Sequence, residues 1–81
     1  MAITFSKHCI QQIQKRGITK EQVLKVVKHP EKIFPLDEEV SVYQALTTDR
    51  KYLLRIFVNR IKNPNIIITA YKTSKLDKYE N

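Results

Sequence analysis

At 81 residues with a formal charge of +7, the chain is long enough for one domain with one small core, and too short for two. With 42% hydrophobic and 28% charged residues it has the composition of a folded globular protein, not of a disordered one. A single cysteine, Cys9, excludes an intramolecular disulfide framework and fits a reducing cytoplasm; no apolar run approaches the ~20 residues of a membrane span, and the first nine residues lack a signal peptide's apolar stretch.

Taken in order, Ala2 to Phe5 reads as a short edge strand. Ser6 is an N-cap for a helix over Lys7 to Arg16, with Cys9, Ile10 and Ile13 on one side at helical spacing. Gly17, the only glycine, falls just past its end, where a left-handed residue stops a helix. Thr19 opens a second helix, and Gln22 three residues on completes a capping box. Val23, Val26 and Val27 form its apolar stripe, and His29-Pro30 ends it. Both helices are too short to stand alone and need a sheet to lie on. Glu31 to Glu39 reads as a loop with a short strand at Lys32-Ile33-Phe34. Val40 to Leu46 is a strand, and Thr47 to Arg50 a turn. Two long strands follow, Lys51 to Asn59 and Asn65 to Tyr71, joined through Asn63-Pro64. Residues 1–72 therefore form the domain, and residues 73–81 a basic polar tail. The architecture expected is α+β, in the order β-α-α-β-β-β, with a helical hairpin on one face of a curved antiparallel sheet.

Strand alternation sorts the long hairpin into two faces. Tyr52, Leu54, Ile56 and Val58 form an apolar set on the first strand, and Ile66, Ile68 and Ala70 one on the second. If those sets meet the core, Arg55, Thr69 and Tyr71 face the other way. Tyr43 is a further candidate for that basic, hydroxyl-bearing patch. The competing reading is plain: strand tyrosines usually pack, and a strand arginine is often merely solvated.

Charge is unevenly spread. Residues 1–30 hold six Lys/Arg against Glu21 alone, residues 50–81 hold eight against two acids, and residues 31–49 hold five acids and one lysine. Basic flanks of this kind favour a polyanion such as nucleic acid, or an acidic protein partner. One glycine excludes a P-loop and a dinucleotide fingerprint. His8, Cys9 and His29 are too few for structural zinc. No metal or cofactor is expected.

Several short runs then point to a family. Thr4-Phe5-Ser6-Lys7-His8, Lys15-Arg16-Gly17-Ile18-Thr19 with Val23, Tyr43, and Ile67-Ile68-Thr69-Ala70-Tyr71 together resemble a group of small bacterial and archaeal proteins. That group, generally described only as a domain of unknown function, looks like a branch of the RelE/ParE toxin superfamily. The match runs from residue 3 to residue 72, and the order and spacing of the runs carry it more than any one run. The resemblance implies a RelE-like fold and, as in RelE relatives, metal-independent cleavage of messenger RNA, often on the ribosome. It implies an acidic antitoxin as partner. ParE relatives instead poison DNA gyrase, so a non-catalytic module is the alternative: a gyrase-binding toxin, a nucleic-acid-binding regulator or a degenerate toxin.

RNA cleavage without metal uses the ribose 2′-hydroxyl as nucleophile and needs a base, an acid and cations on the phosphate. Arg55 is the candidate for the phosphate, since a guanidinium forks onto two oxygens. Tyr71 and Tyr43 are candidates for proton donation or base stacking. His8, which the resemblance places in a Ser-x-His motif, is the candidate base, because imidazole titrates nearest neutrality. Lys7, Lys15, Arg16, Lys51, Thr69, Lys72 and Lys75 are candidate RNA contacts, each equally readable as an ordinary surface side chain. Arg16 is also placed to reach the sheet's end or to cap helix carbonyls.

Overall fold

The computed structural model describes residues 2–76. Two helices form where the capping chemistry puts them. In α1 (Lys7–Lys15) the Ser6 hydroxyl accepts from the Cys9 amide, and in α2 (Lys20–Lys28) Thr19 and Gln22 complete a reciprocal capping box. Gly17, at φ 68°, ends α1 in the left-handed region. Each helix turns one stripe inward, Cys9 and Ile13 from α1, Val23, Val26 and Val27 from α2, with Ile18 of the connection sealed between them.

The strands are β1 (Ile3–Phe5), β2 (Lys32–Pro35), β3 (Val40–Leu46), β4 (Leu53–Asn59) and β5 (Asn65–Thr73). They form one sheet in the order β1-β5-β4-β3-β2. This corrects the expected topology in two respects. The Lys32-Ile33-Phe34 segment is a full edge strand paired with β3, so four strands follow the helices. The sheet is mixed, because β1 runs parallel to β5, Ile3 opposite Asn65 and Phe5 opposite Ile67. The reason is geometric: β2 to β5 walk across the sheet as a meander, and the last strand arrives beside the first. Ser6 fastens that seam, its amide donating to the Ile67 carbonyl at 3.0 Å and its hydroxyl to that of Ile68 at 3.1 Å.

The core lies between the helices and one face of the sheet. Leu54, Ile56 and Val58 of β4 project into it together with Ala45, Ile67 and Ala70. β5 departs from simple alternation. Phe57 pairs with Thr69 and Val58 with Ile67, so Ile68 is an extra residue, a bulge. Ile67 and Ala70 therefore both point inward, fully buried. The expected grouping of Ile66, Ile68 and Ala70 is corrected: Ile67, assigned by strict alternation to the Tyr71 face, belongs to the core. Tyr52 is corrected too. It precedes β4, is exposed, and lies under the Lys72 ammonium at 5.0 Å instead of entering the core. β5 itself runs to Thr73, one residue into the expected tail, and the rest of that tail from residue 77 lies outside the described residues. Among the described residues no helix is long and apolar enough to cross a membrane.

Candidate active site on the sheet face opposite the helices

Cross-strand neighbours share a face, and one rank across the three central strands reads Gln44, Arg55, Tyr71. Leu54 and Ile56, on either side of Arg55 along β4, point to the helices, so this rank points away from them. Gln44 is buried, 3% exposed, and its Oε1 accepts from Arg55 Nε at 3.1 Å. Arg55 Nη1 donates to the Tyr71 phenol oxygen at 2.7 Å. Both donors are charged, and hydrogen bonds to charged groups are worth ~1.5–3 kcal/mol each. The next rank places Phe57 beside Thr69. The Phe57 and Tyr71 rings stack with centroids 6.0 Å apart at 29°, and the guanidinium carbon sits 5.8 Å from one centroid and 5.9 Å from the other. A cation is thereby fixed against two ring faces, a geometry that attracts it further.

This face is more than a solvated surface. Val42 and Leu53 lie on it and are buried, and Phe34 of β2, opposite Val42, is half-buried. Beside Gln44 a cleft of about 250 Å³ is walled by Leu46 and Leu53, with Glu31 and Lys32 at its rim. The site thus combines one arginine, one phenol, a stacked aromatic pair and an adjoining recess. That set suits a phosphate with a base beside it.

The other candidates separate by element. Thr69 shares the Arg55 face. Tyr43 does not: it pairs with Ile56 and packs against the core, so the expectation that it joins Arg55 is corrected by the strand register. His8, Lys7 and Lys15 are exposed on α1, which packs on the opposite face, and His8 is not brought together with Arg55 and Tyr71. Arg16 Nη1 donates to the Ala70 carbonyl at 2.8 Å, the sheet contact that was one of its expected roles. Lys72 pairs with Leu54, on the helix side, and holds Tyr52. Lys51 and Lys75 are exposed outside the strands. Gln44 and Phe57 were missed in the sequence. A lone amide among Val42 and Leu46 on one strand face was the available signal for Gln44. For Phe57 it was the shared parity with Arg55.

Among the described residues no group of three or more His, Cys, Asp and Glu side chains comes together as a metal site. Burial pushes the Cys9 thiol up, against the weaker opposing pull of Arg16. Two surface carboxyls sit below their ordinary range. Asp37 is held down by amide hydrogen bonds from Val40 and Glu39, and Asp49 by the Thr47 hydroxyl and the Lys51 amide.

These features define a class: a small α+β domain with a mixed five-stranded sheet, helices on one side and an arginine–tyrosine–glutamine rank on the other. The chain belongs to the family described as Domain of unknown function (DUF4258), whose model matches residues 5–72 and so includes the whole rank. No curated protein matches the chain, and no solved structure does.

Proposed function

We propose that this protein is a metal-independent ribonuclease of the toxin type, cutting single-stranded RNA at the Arg55–Tyr71 rank. The observation that carries the reading is the 2.7 Å hydrogen bond between that guanidinium and that phenol, with Gln44 fixing the arginine from behind. In the proposed step the 2′-oxygen attacks phosphorus, the bond to the 5′-oxygen breaks, and a 2′,3′-cyclic phosphate and a 5′-hydroxyl result. Arg55 stabilises the negative charge gathering on the phosphate oxygens. Tyr71 gives a proton to the departing 5′-oxygen, and the 2′-hydroxyl proton passes to water. Phe57 and Tyr71 offer a stacking surface to a base next to the cut, sequence-tolerant because every base has a π-face. His8 has no part in this step, since α1 is on the other side of the sheet.

Positive charge supports a polyanionic substrate, and equally an acidic antitoxin that neutralises the protein. The test is cleavage of single-stranded RNA and of ribosome-bound message by purified protein, with 5′-hydroxyl ends on the fragments and growth arrest on expression. Arg55→Ala should abolish cleavage while leaving the circular dichroism spectrum unchanged. Intact RNA with the native protein in both assays, together with harmless expression, would sink the reading.

A second reading rests on a different observation. Residues 2–30 carry six exposed Lys/Arg with Glu21 as their one acid, so the helical layer is itself a basic surface. A docking module on DNA gyrase or nucleic acid would use that layer and no chemistry. DNA damage without message loss on expression would favour it.

A further inference from the structure

We propose that the cleft between the end of α2 and the β3–β4 turn binds a mononucleotide, with its phosphate on Lys25 and Arg50 and its base on an apolar floor. The cleft holds about 320 Å³, at the small end of the ~300–1,000 Å³ range of ligand sites. Its floor is Val26, Ala45 and Leu54, all buried, and its rim is Lys25 and His29, one helical turn apart, facing Arg50. Glu31 also lines it, but its carboxylate is turned to the backbone, where Oε1 accepts from the Leu46 amide at 2.6 Å. Thr48 and Gln22 add neutral donors and acceptors to the wall. An apolar floor under a cationic rim matches a planar base joined to a phosphate monoester.

Arg50 carries the second, independent observation. Its φ is 61°, the left-handed region, where glycine sits at no steric cost and a side chain is disfavoured. The turn fixes it there: the Arg50 amide donates to the Thr47 carbonyl at 2.9 Å, and the Asp49 carboxylate accepts from the Lys51 amide at 3.0 Å. The fold would be served better by glycine at this position. A guanidinium carried in a conformation that opposes it, at the mouth of a cleft, is placed for what it binds. Leu54 and Arg55 are neighbours on one strand with opposite orientations, so this cleft lies on the other side of β4 from the Arg55 rank and does not depend on the ribonuclease reading.

The test is a ¹⁵N-resolved titration of the full chain with AMP, adenosine and inorganic phosphate. AMP should shift the amides of Val26, Ala45 and Thr48, with adenosine and phosphate each at least about tenfold weaker, a tenfold step being one decade in Kd. Arg50→Gly should weaken AMP binding about tenfold or more while leaving the melting temperature unchanged or higher, which separates lost recognition from a broken turn. Lys25→Gln should weaken it in the same direction, and the AMP-induced shifts of Val26, Ala45 and Thr48 should persist when Arg55 is replaced by alanine. No cleft shifts at roughly 10 mM AMP, well above the ~1 mM of weak specific binding, would overturn the proposal. So would adenosine binding as well as AMP, or undiminished AMP binding by Arg50→Gly.

Discussion

A single buried amide decides how well the arginine is aimed. Gln44 holds Arg55 Nε on one side while Tyr71 takes Nη1 on the other, so the guanidinium plane is set by two strands at once. Gln44→Ala removes that hydrogen bond from a half-buried guanidinium. We expect a loss of about 1–3 kcal/mol in urea unfolding, with cleavage falling because Arg55 is no longer held. Tyr71→Phe keeps the ring stack and removes the hydroxyl proposed as the acid. Cleavage should fall ~10²–10⁴-fold if the phenol is the acid, with RNA affinity little changed, as a gel-shift assay would read. Cys9, fully buried with its thiol pushed up, should react with a thiol reagent only as fast as the protein opens. Asp37 and Asp49 have pKa values lowered by their hydrogen bonds, so the folded state holds their protons less tightly than the unfolded chain. Their contribution is complete above the ordinary carboxyl pKa of 3.8 and is lost as pH falls through the lower folded values. Asp37→Asn should therefore lower the neutral part of a melting-temperature profile and leave its acid end nearly unchanged, so that the profile flattens. Which side of the sheet each of these residues faces was partly legible. Alternation along β4 assigned Arg55 correctly, whereas on β3 the more apolar set, Val40, Val42 and Leu46, lies on the far face, and only pairing with Ile56 places Tyr43 against the core.

Helix ends were the most legible elements, because capping is local chemistry. Ser6, Gly17, Thr19 and Gln22 announce the two helices without reference to the rest of the chain. Gly17 gives a clean test of backbone geometry. A Cβ placed there meets nothing within 4 Å, so Gly17→Ala should cost about 1 kcal/mol through the left-handed φ of 68° alone. Thermal unfolding would read that loss, and the opposite shift for Arg50→Gly would show the same physics in reverse. Strand pairing was less legible, since a three-residue segment such as Ile3–Phe5 carries no information about the direction of its partner. The β5 bulge was invisible for a related reason. Four consecutive apolar or small residues around Ile67 offer no parity to break, and the extra residue is defined only by its neighbour on β4.

The molecule as a whole rests on one small core, so its two faces should respond differently to substitution. Ile56 and Arg55 are adjacent in sequence. Ile56 is fully buried under the helices and Arg55 half-buried on the far side. Ile56→Ala should cost ~2–5 kcal/mol, a large part of the ~5–15 kcal/mol that holds a domain together. Arg55→Ala, which removes two charged hydrogen bonds but opens no cavity in the core, should cost ~1.5–3 kcal/mol in the same denaturation experiment. The bulge at Ile68 has a consequence of its own. It acts as a phase slip: upstream of it β5 turns Ile67 toward the helices, and downstream of it the strand shows Thr69 and Tyr71 to the opposite side. Without the slip, with Ile68 counted as an ordinary strand residue, no register would satisfy both halves. Either the phenol would trade places with an alanine beneath the helices, or an isoleucine would be stranded in water, and removal of Ile68 would restore plain alternation with both halves still in place.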